Sequence, residues 1–146
     1  RKKGLHENYF KRIEYLQIWE LEIQTAIKLF EKDYKAANKF AKQAVALEEK
    51  LPAPSGPPRI LKPSYELLGE VYLKAGKPIQ AYEKFSISLL RHPNRIRSLM
   101  GAARAADAKG DRKTAMENYQ QVIRQFKNAS SELGELNEAR NFIIRQ

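Results

Sequence analysis

Between Leu5 and Lys32 the chain contains neither Pro nor Gly, and its apolar residues fall at Tyr9, Ile13, Leu16, then Trp19 or Ile23, Ala26, Ile27 and Phe30. A recurrence every three to four residues predicts one long helix, or two joined without a loop, with an apolar band wide enough to be covered on two sides. The helical period resumes in KDYKAANKFAKQAVAL, where Asp33 and Tyr34 mark a turn and Ala37, Ala41 and Ala44 share a face. That helix should stop near Lys50, because Pro52, Pro54, Pro57, Pro58 and Pro63 follow. Proline lacks an amide hydrogen and disfavours helix in the residue before it. The segment LPAPSGPPRILKP is therefore expected to be extended, with polyproline character. It reads as a stiff connector, or alternatively as a docking peptide for an aromatic groove.

Downstream, the stretch KPSYELLGEVYLKAGKPIQAYEKFSISLLRHPNR contains a complete helix–turn–helix. Pro63 suits a first helical turn, Gly76 ends that helix and Pro78 opens the next. Gly69 lets the second helix approach closely, Tyr72 and Phe85 fill the gap, and Leu68, Leu89 and Leu90 add core. Asn94 is expected to cap the following helix. Shifting Tyr65, Leu68, Gly69, Tyr72, Gly76, Ala81, Phe85 and Pro93 by 34 positions gives Leu99, Ala102, Ala103, Ala106, Gly110, Ala115, Tyr119 and Lys127. The bulky anchors, the turn glycine and the small residue five places after it recur in register. Alanines at 103 and 106 predict closer helix packing in the second copy, and Asp111 should cap its second helix. The tail SELGELNEARNFIIRQ predicts a last helix with a narrow apolar stripe of Leu133, Leu136, Ala139 and Ile143, as an end cap requires.

The 34-residue period and the order large–x2–Leu–Gly–x2–Tyr, Ala–x3–Phe, Pro resemble the tetratricopeptide repeat (TPR). The resemblance implies an all-α, right-handed α-solenoid of about three TPR-like helical hairpins plus a C-terminal capping helix. Its units would be a first hairpin over 5–50, the connector 51–62, repeats over 62–95 and 96–129, and the cap 130–146. The family's ligand-facing positions, carried over, fall on the concave side at Trp19, Glu66, Glu70, Leu73, Lys74, Arg97, Met100 and Arg104. These would form a peptide-binding groove in which Glu66 and Glu70 lie beside Arg97 and Arg104, either free for a ligand or paired across adjacent helices. The set departs from the carboxylate clamp of chaperone-binding relatives: Glu22 and Ala26 stand where that clamp needs Lys and Asn, and Leu67 where it needs a second Asn. The implied role is a non-catalytic scaffold that binds a protein or peptide, or docks onto upstream repeats of the same protein.

Composition adds a rival reading. The formal charge is +10 and the pI about 9.8, a balance that suits anionic partners and raises RNA or an anionic surface as the alternative ligand. The excess is spread along the chain, which favours a solvated basic surface over a dedicated site. There is no cysteine, so neither disulfides nor thiolate metal sites arise. No apolar run approaches the ~20 residues of a membrane span. A cytoplasmic protein is the expectation, and the missing initiator Met suggests a piece of something longer.

Candidate chemistry is sparse. His6-Glu7 opens like a zinc-protease helix, but Phe10 occupies the place of the second His. His92 precedes a proline at a helix end, Gly76-Lys77 lacks the rest of a phosphate-cradling loop, and no serine sits in a nucleophile elbow. The expectation is no enzyme, no metal and no cofactor.

Overall fold

A computed structural model describes residues 2–51, 60, 62–128 and 133–145, with side chains from Ile13 onward. These residues form seven helices: α1 (Lys2–Phe30), α2 (Tyr34–Glu48), α3 (Ser64–Lys74), α4 (Pro78–Arg91), α5 (Ile96–Ala108), α6 (Arg112–Gln125) and α7 (Gly134–Ile144). Each helix packs on the next, and α1 also touches α3 while α3 touches α5. The result is an all-α, solenoid-like stack of successive contacting pairs. Most of the Pro-rich connector, residues 52–59 and 61, lies outside the described residues, as do 129–132.

Three turns between paired helices share one hydrogen-bond pattern. After α1, α3 and α5 the chain enters the left-handed region at Lys32 (φ 60°), Gly76 (φ 71°) and Gly110 (φ 86°). Asp33, Lys77 and Asp111 donate their backbone N–H to the carbonyls of Lys28, Tyr72 and Ala106, at 2.9 Å each. Lys32, Gly76 and Gly110 donate to Leu29, Leu73 and Asp107. That double closure satisfies helix-end carbonyls and turns the chain sharply. Asp33 and Asp111 then accept from the N–H groups of Ala36 and Thr114, while Pro78 occupies the first turn of α4. At two of the three turns glycine takes the positive φ; in the first, Lys32 does so against its own Cβ. Lys32→Gly should therefore stabilise the protein by about 1 kcal/mol, the usual penalty for an L-residue in this region. Urea unfolding would show this as a higher midpoint at unchanged slope.

The core runs along α5, where Ser98 to Ala103, Ala105 and Ala106 are all buried. Ala103 and Ala106 are both fully buried. Phe85, from α4, is 1% exposed and its ring faces glycines on two helices. A Cβ on Gly69 would lie 3.0 Å from the ring, and one on Gly101 only 2.3 Å away. A second cluster joins Ala37, Ala41 and Val45 of α2 to Leu68 and Val71 of α3. At the far end Leu136 and Ala139 anchor α7, and the Tyr119 and Phe142 rings meet with centroids 4.5 Å apart.

Three expectations are corrected. Leu90 is not core but 82% exposed, because it faces away from α3 and α5 on the outer side of α4. Asn94 is not the N-cap of α5; it sits at φ 67°, its side chain accepts from Gln125 Nε2 at 2.6 Å, and Arg95 takes the cap position without a side-chain bond. The apolar band of α1 is covered on one side only: Ile18 and Thr25 are buried, but Leu16, Ile23, Ile27 and Phe30 face solvent.

Candidate interaction face

Three helices, α1, α3 and α5, carry the positions singled out in the sequence, and their side chains divide sharply in accessibility. Glu66 is fully enclosed. Arg95 donates to it through Nε at 2.7 Å and Nη2 at 3.1 Å. The Ser98 hydroxyl also donates to Glu66, at 2.6 Å, and pairs in turn with that of Ser88 at 2.9 Å. Met100 is likewise enclosed, in the cluster of Leu99, Ala103, Tyr119 and Val122. Both residues underlie the face rather than line it. Glu70 is half-buried and receives Lys62 Nζ at 2.6 Å; Leu73 is half-buried beside Ala81 and Phe85. Lys74, Arg97 and Arg104 face solvent, as does Trp19 at 39%.

Arg104 is held by a two-pronged ion pair with Glu138 of α7, and the Tyr119 hydroxyl donates to the same carboxylate. The Arg104 hydrogen bonds hold the Glu138 carboxyl below the usual carboxylate range, against the opposing effect of its partial burial. Glu70, Arg104 and Glu138, on α3, α5 and α7, lie 34 residues apart in succession and alternate in charge. Cross-helix pairing does occur, but its partners are Arg95, Lys62 and Glu138, not Glu66 or Glu70 with Arg97 or Arg104. The partner of Arg104 was legible from the repeat itself, one period onward. Beside this pair, Asp107, Arg112, Asn137 and Arg145 border an open recess of about 610 Å³.

Behind the face, the joint between the first two pairs concentrates ionisable groups. Glu48, at the end of α2, is buried and accepts the Ser64 N–H at 2.6 Å, in effect capping α3 from another helix. His92 Nε2 stands 3.6 Å from the same carboxylate. Tyr65 donates its hydroxyl to Glu49; burial chiefly, with that bond, pushes the phenol up to about 12. Glu22 enters the joint from α1 with a buried Oε1 that has no hydrogen-bond partner among the described residues. Burial first, and then the neighbouring Glu48, raise its carboxyl to about 7, against the pull of Lys62 and Arg95. No sequence pattern marks this joint, since isolated glutamates on helices ordinarily read as surface.

A raised carboxyl penalises the folded state once it must ionise. The penalty is absent below the unfolded value of 4.5, grows as pH rises, and is complete above about 7. Glu22→Gln should then match wild type near the lower value and exceed it at pH 8 by on the order of 1–2 kcal/mol, after allowance for solvent screening. Thermal melts at the two pH values test this; an equal difference at both would disprove the assignment.

Among the described residues, no three His, Asp or Glu side chains gather as metal ligands, and no helix is long and apolar enough to cross a membrane. The chain matches no protein-family model and no curated protein; its architecture is an all-α, repeat-like stack of helical pairs.

Proposed function

We propose that this chain is a non-catalytic protein-interaction module made of TPR-like hairpins, with repeat units at 62–95 and 96–129, a first hairpin over 5–50 and a cap from 130, wound right-handed. Its binding face is formed by the first helices of successive pairs, α1, α3 and α5, and it takes a peptide or a neighbouring domain. What supports this reading is the placement of Trp19, Lys74, Arg97 and Arg104 toward solvent, with Glu70 and Leu73 half-buried between them. Glu66 and Met100 act from beneath, fixing the spacing of α3 and α5. The exposed cations Lys74 and Arg97 beside the half-buried Leu73 suit a segment that combines acidic residues with an apolar anchor, while Glu70 and Glu138 discriminate against a purely anionic strand.

Capture of partners on the immobilised chain at low and high salt, wild type against a Lys74→Glu/Arg97→Glu variant, tests the proposal. Both residues are exposed, so the variant should fold as wild type does. A protein partner that survives high salt and is lost with the variant is the expected result. An unchanged set of partners would sink the assignment. The +10 charge favours one rival, RNA or an anionic surface. That rival predicts no protein partner and an affinity that falls steeply with salt.

A further inference from the structure

We infer that the groove between α1 and α2 is a second docking site, which takes an amphipathic helix of a partner protein, apolar along its seam and acidic along the flank that meets α2. The groove encloses about 480 Å³. Leu21, Phe40 and Leu47 give it an apolar lining, and Gln24 and Gln43 border it from the two helices. It lies apart from the face proposed above. Helix α2 gives Ala37, Ala41 and Val45 to α3, and turns Phe40, Gln43 and Leu47 to the groove on another side.

The three shared turns set the register of the helices before them. Leu21, Gln24 and Ile27 stand eleven, eight and five residues before Lys32. Tyr65, Leu68 and Val71 stand at the same distances before Gly76, and Leu99, Ala102 and Ala105 before Gly110. In α3 and α5 this phase is sealed by the second helix of the preceding pair. Leu68 and Val71 meet Ala37, Ala41 and Val45 of α2, while Ala102 and Ala105 meet Ala81 and Phe85 of α4. Val71 and Ala105 are 0% exposed, whereas Ile27 at the same offset is 49% exposed, and Leu21 and Gln24 line the open groove. The same phase of α1 therefore matches the same kind of cover. That cover is a helix with a small residue followed by apolar ones four and eight places on, as in Ala37, Ala41, Val45 and in Ala81, Phe85, Leu89.

Charge selects among such helices. Lys35, Lys39 and Lys42 are exposed and share an edge of α2 with Ala46, at helical spacing. No acidic residue of α2 precedes Glu48. A partner helix with Asp or Glu along that flank is attracted, and a basic one is repelled. A second copy of this chain does not fit. Its seams on α2, α4 and α6 are buried in its own core, and the exposed side of α7 carries Asn137, Asn141 and Arg145.

The probe is a stapled helical peptide copying Pro78–Arg91, the segment whose Ala81 and Phe85 cover α5. The staple holds a helix too short to persist alone in water. Positions flanking the seam are glutamate in one version and lysine in the other. Binding to the full chain is read by fluorescence anisotropy of the labelled peptide. The glutamate version should bind saturably and at least about tenfold more tightly than the lysine version, and Lys39→Glu/Lys42→Glu should reverse that order. Ala46→Arg, at an exposed position in the groove, should weaken the glutamate version by at least about tenfold. Urea midpoints equal to wild type would show that these variants fold. Lys74→Glu/Arg97→Glu should leave the probe's affinity unchanged, so that failure of the groove and failure of the face are read separately. No saturable binding of the glutamate version overturns the inference. So does equal affinity for the two versions, binding that ignores Ala46→Arg, or loss of binding in Lys74→Glu/Arg97→Glu.

Discussion

Phe85→Ala should lower the stability of this protein by about 3–5 kcal/mol, a large share of what a domain of this size possesses. The ring is enclosed by Gly69 of α3 and Gly101 of α5, so its removal opens a cavity shared by three helices, with little freedom for any of them to close it. The complementary change is informative in the other direction. Gly101→Ala would place a methyl 2.3 Å from the ring, and an aromatic ring wedged between two backbones cannot swing aside. Overpacking of this kind costs about 1–3 kcal/mol. The two sites should be coupled: Phe85→Leu removes the ring edge that the new methyl strikes, so Phe85→Leu/Gly101→Ala should be more stable than the sum of its single variants by about 1 kcal/mol or more. Urea unfolding of the four proteins measures this directly. Strict additivity would show that Gly101 is not where α5 touches α4.

How much of this was legible in advance depends on whether a residue's role is set by local pattern or by a distant neighbour. The turns were legible: Gly76, Pro78, Gly110 and Asp111 act within four residues of themselves, and each stands where its chemistry predicts. Gly69 and Phe85 were legible because they occupy fixed offsets in a repeating unit. Gly101 was not, since it occupies no small-residue position of the period and owes its role to a ring sixteen residues back. Leu90 reads as core in any periodic scan, yet it lies on the outer side of α4. Asn94 carries the chemistry of a cap, but the backbone there needs a left-handed residue, a role that asparagine also fills. The positions of the proposed face could be named from the sequence, but their accessibilities could not. Arg104 and Lys74 reach solvent, while Glu66 at a neighbouring offset is sealed by Arg95 and Ser98, some thirty residues further along the chain.

Glu66 carries the second large effect. Its carboxyl group is fully buried between α3 and α5 and accepts three hydrogen bonds, two from Arg95 and one from Ser98. Arg95 is itself only partly exposed. Truncation by Glu66→Ala takes away the acceptor and leaves a guanidinium and a hydroxyl facing an apolar void. Breaking a buried pair from one side typically costs about 3–5 kcal/mol. Glu66→Gln keeps the shape but turns an amide NH2 toward donors, so it should retain only part of that loss. The instructive variant removes both partners. Glu66→Met/Arg95→Met substitutes apolar atoms of similar length, leaves no charge unpaired, and should recover most of the stability lost in Glu66→Ala. Equilibrium unfolding in urea separates these cases. If the double variant is as unstable as Glu66→Ala, the network contributes through its own bonds rather than through the penalty of leaving one partner stranded. If it recovers, the ion pair fixes how α3 and α5 align, and the face above them should lose partner affinity even where stability is regained, because Lys74 and Arg97 are spaced by the helices that Glu66 and Arg95 tie together.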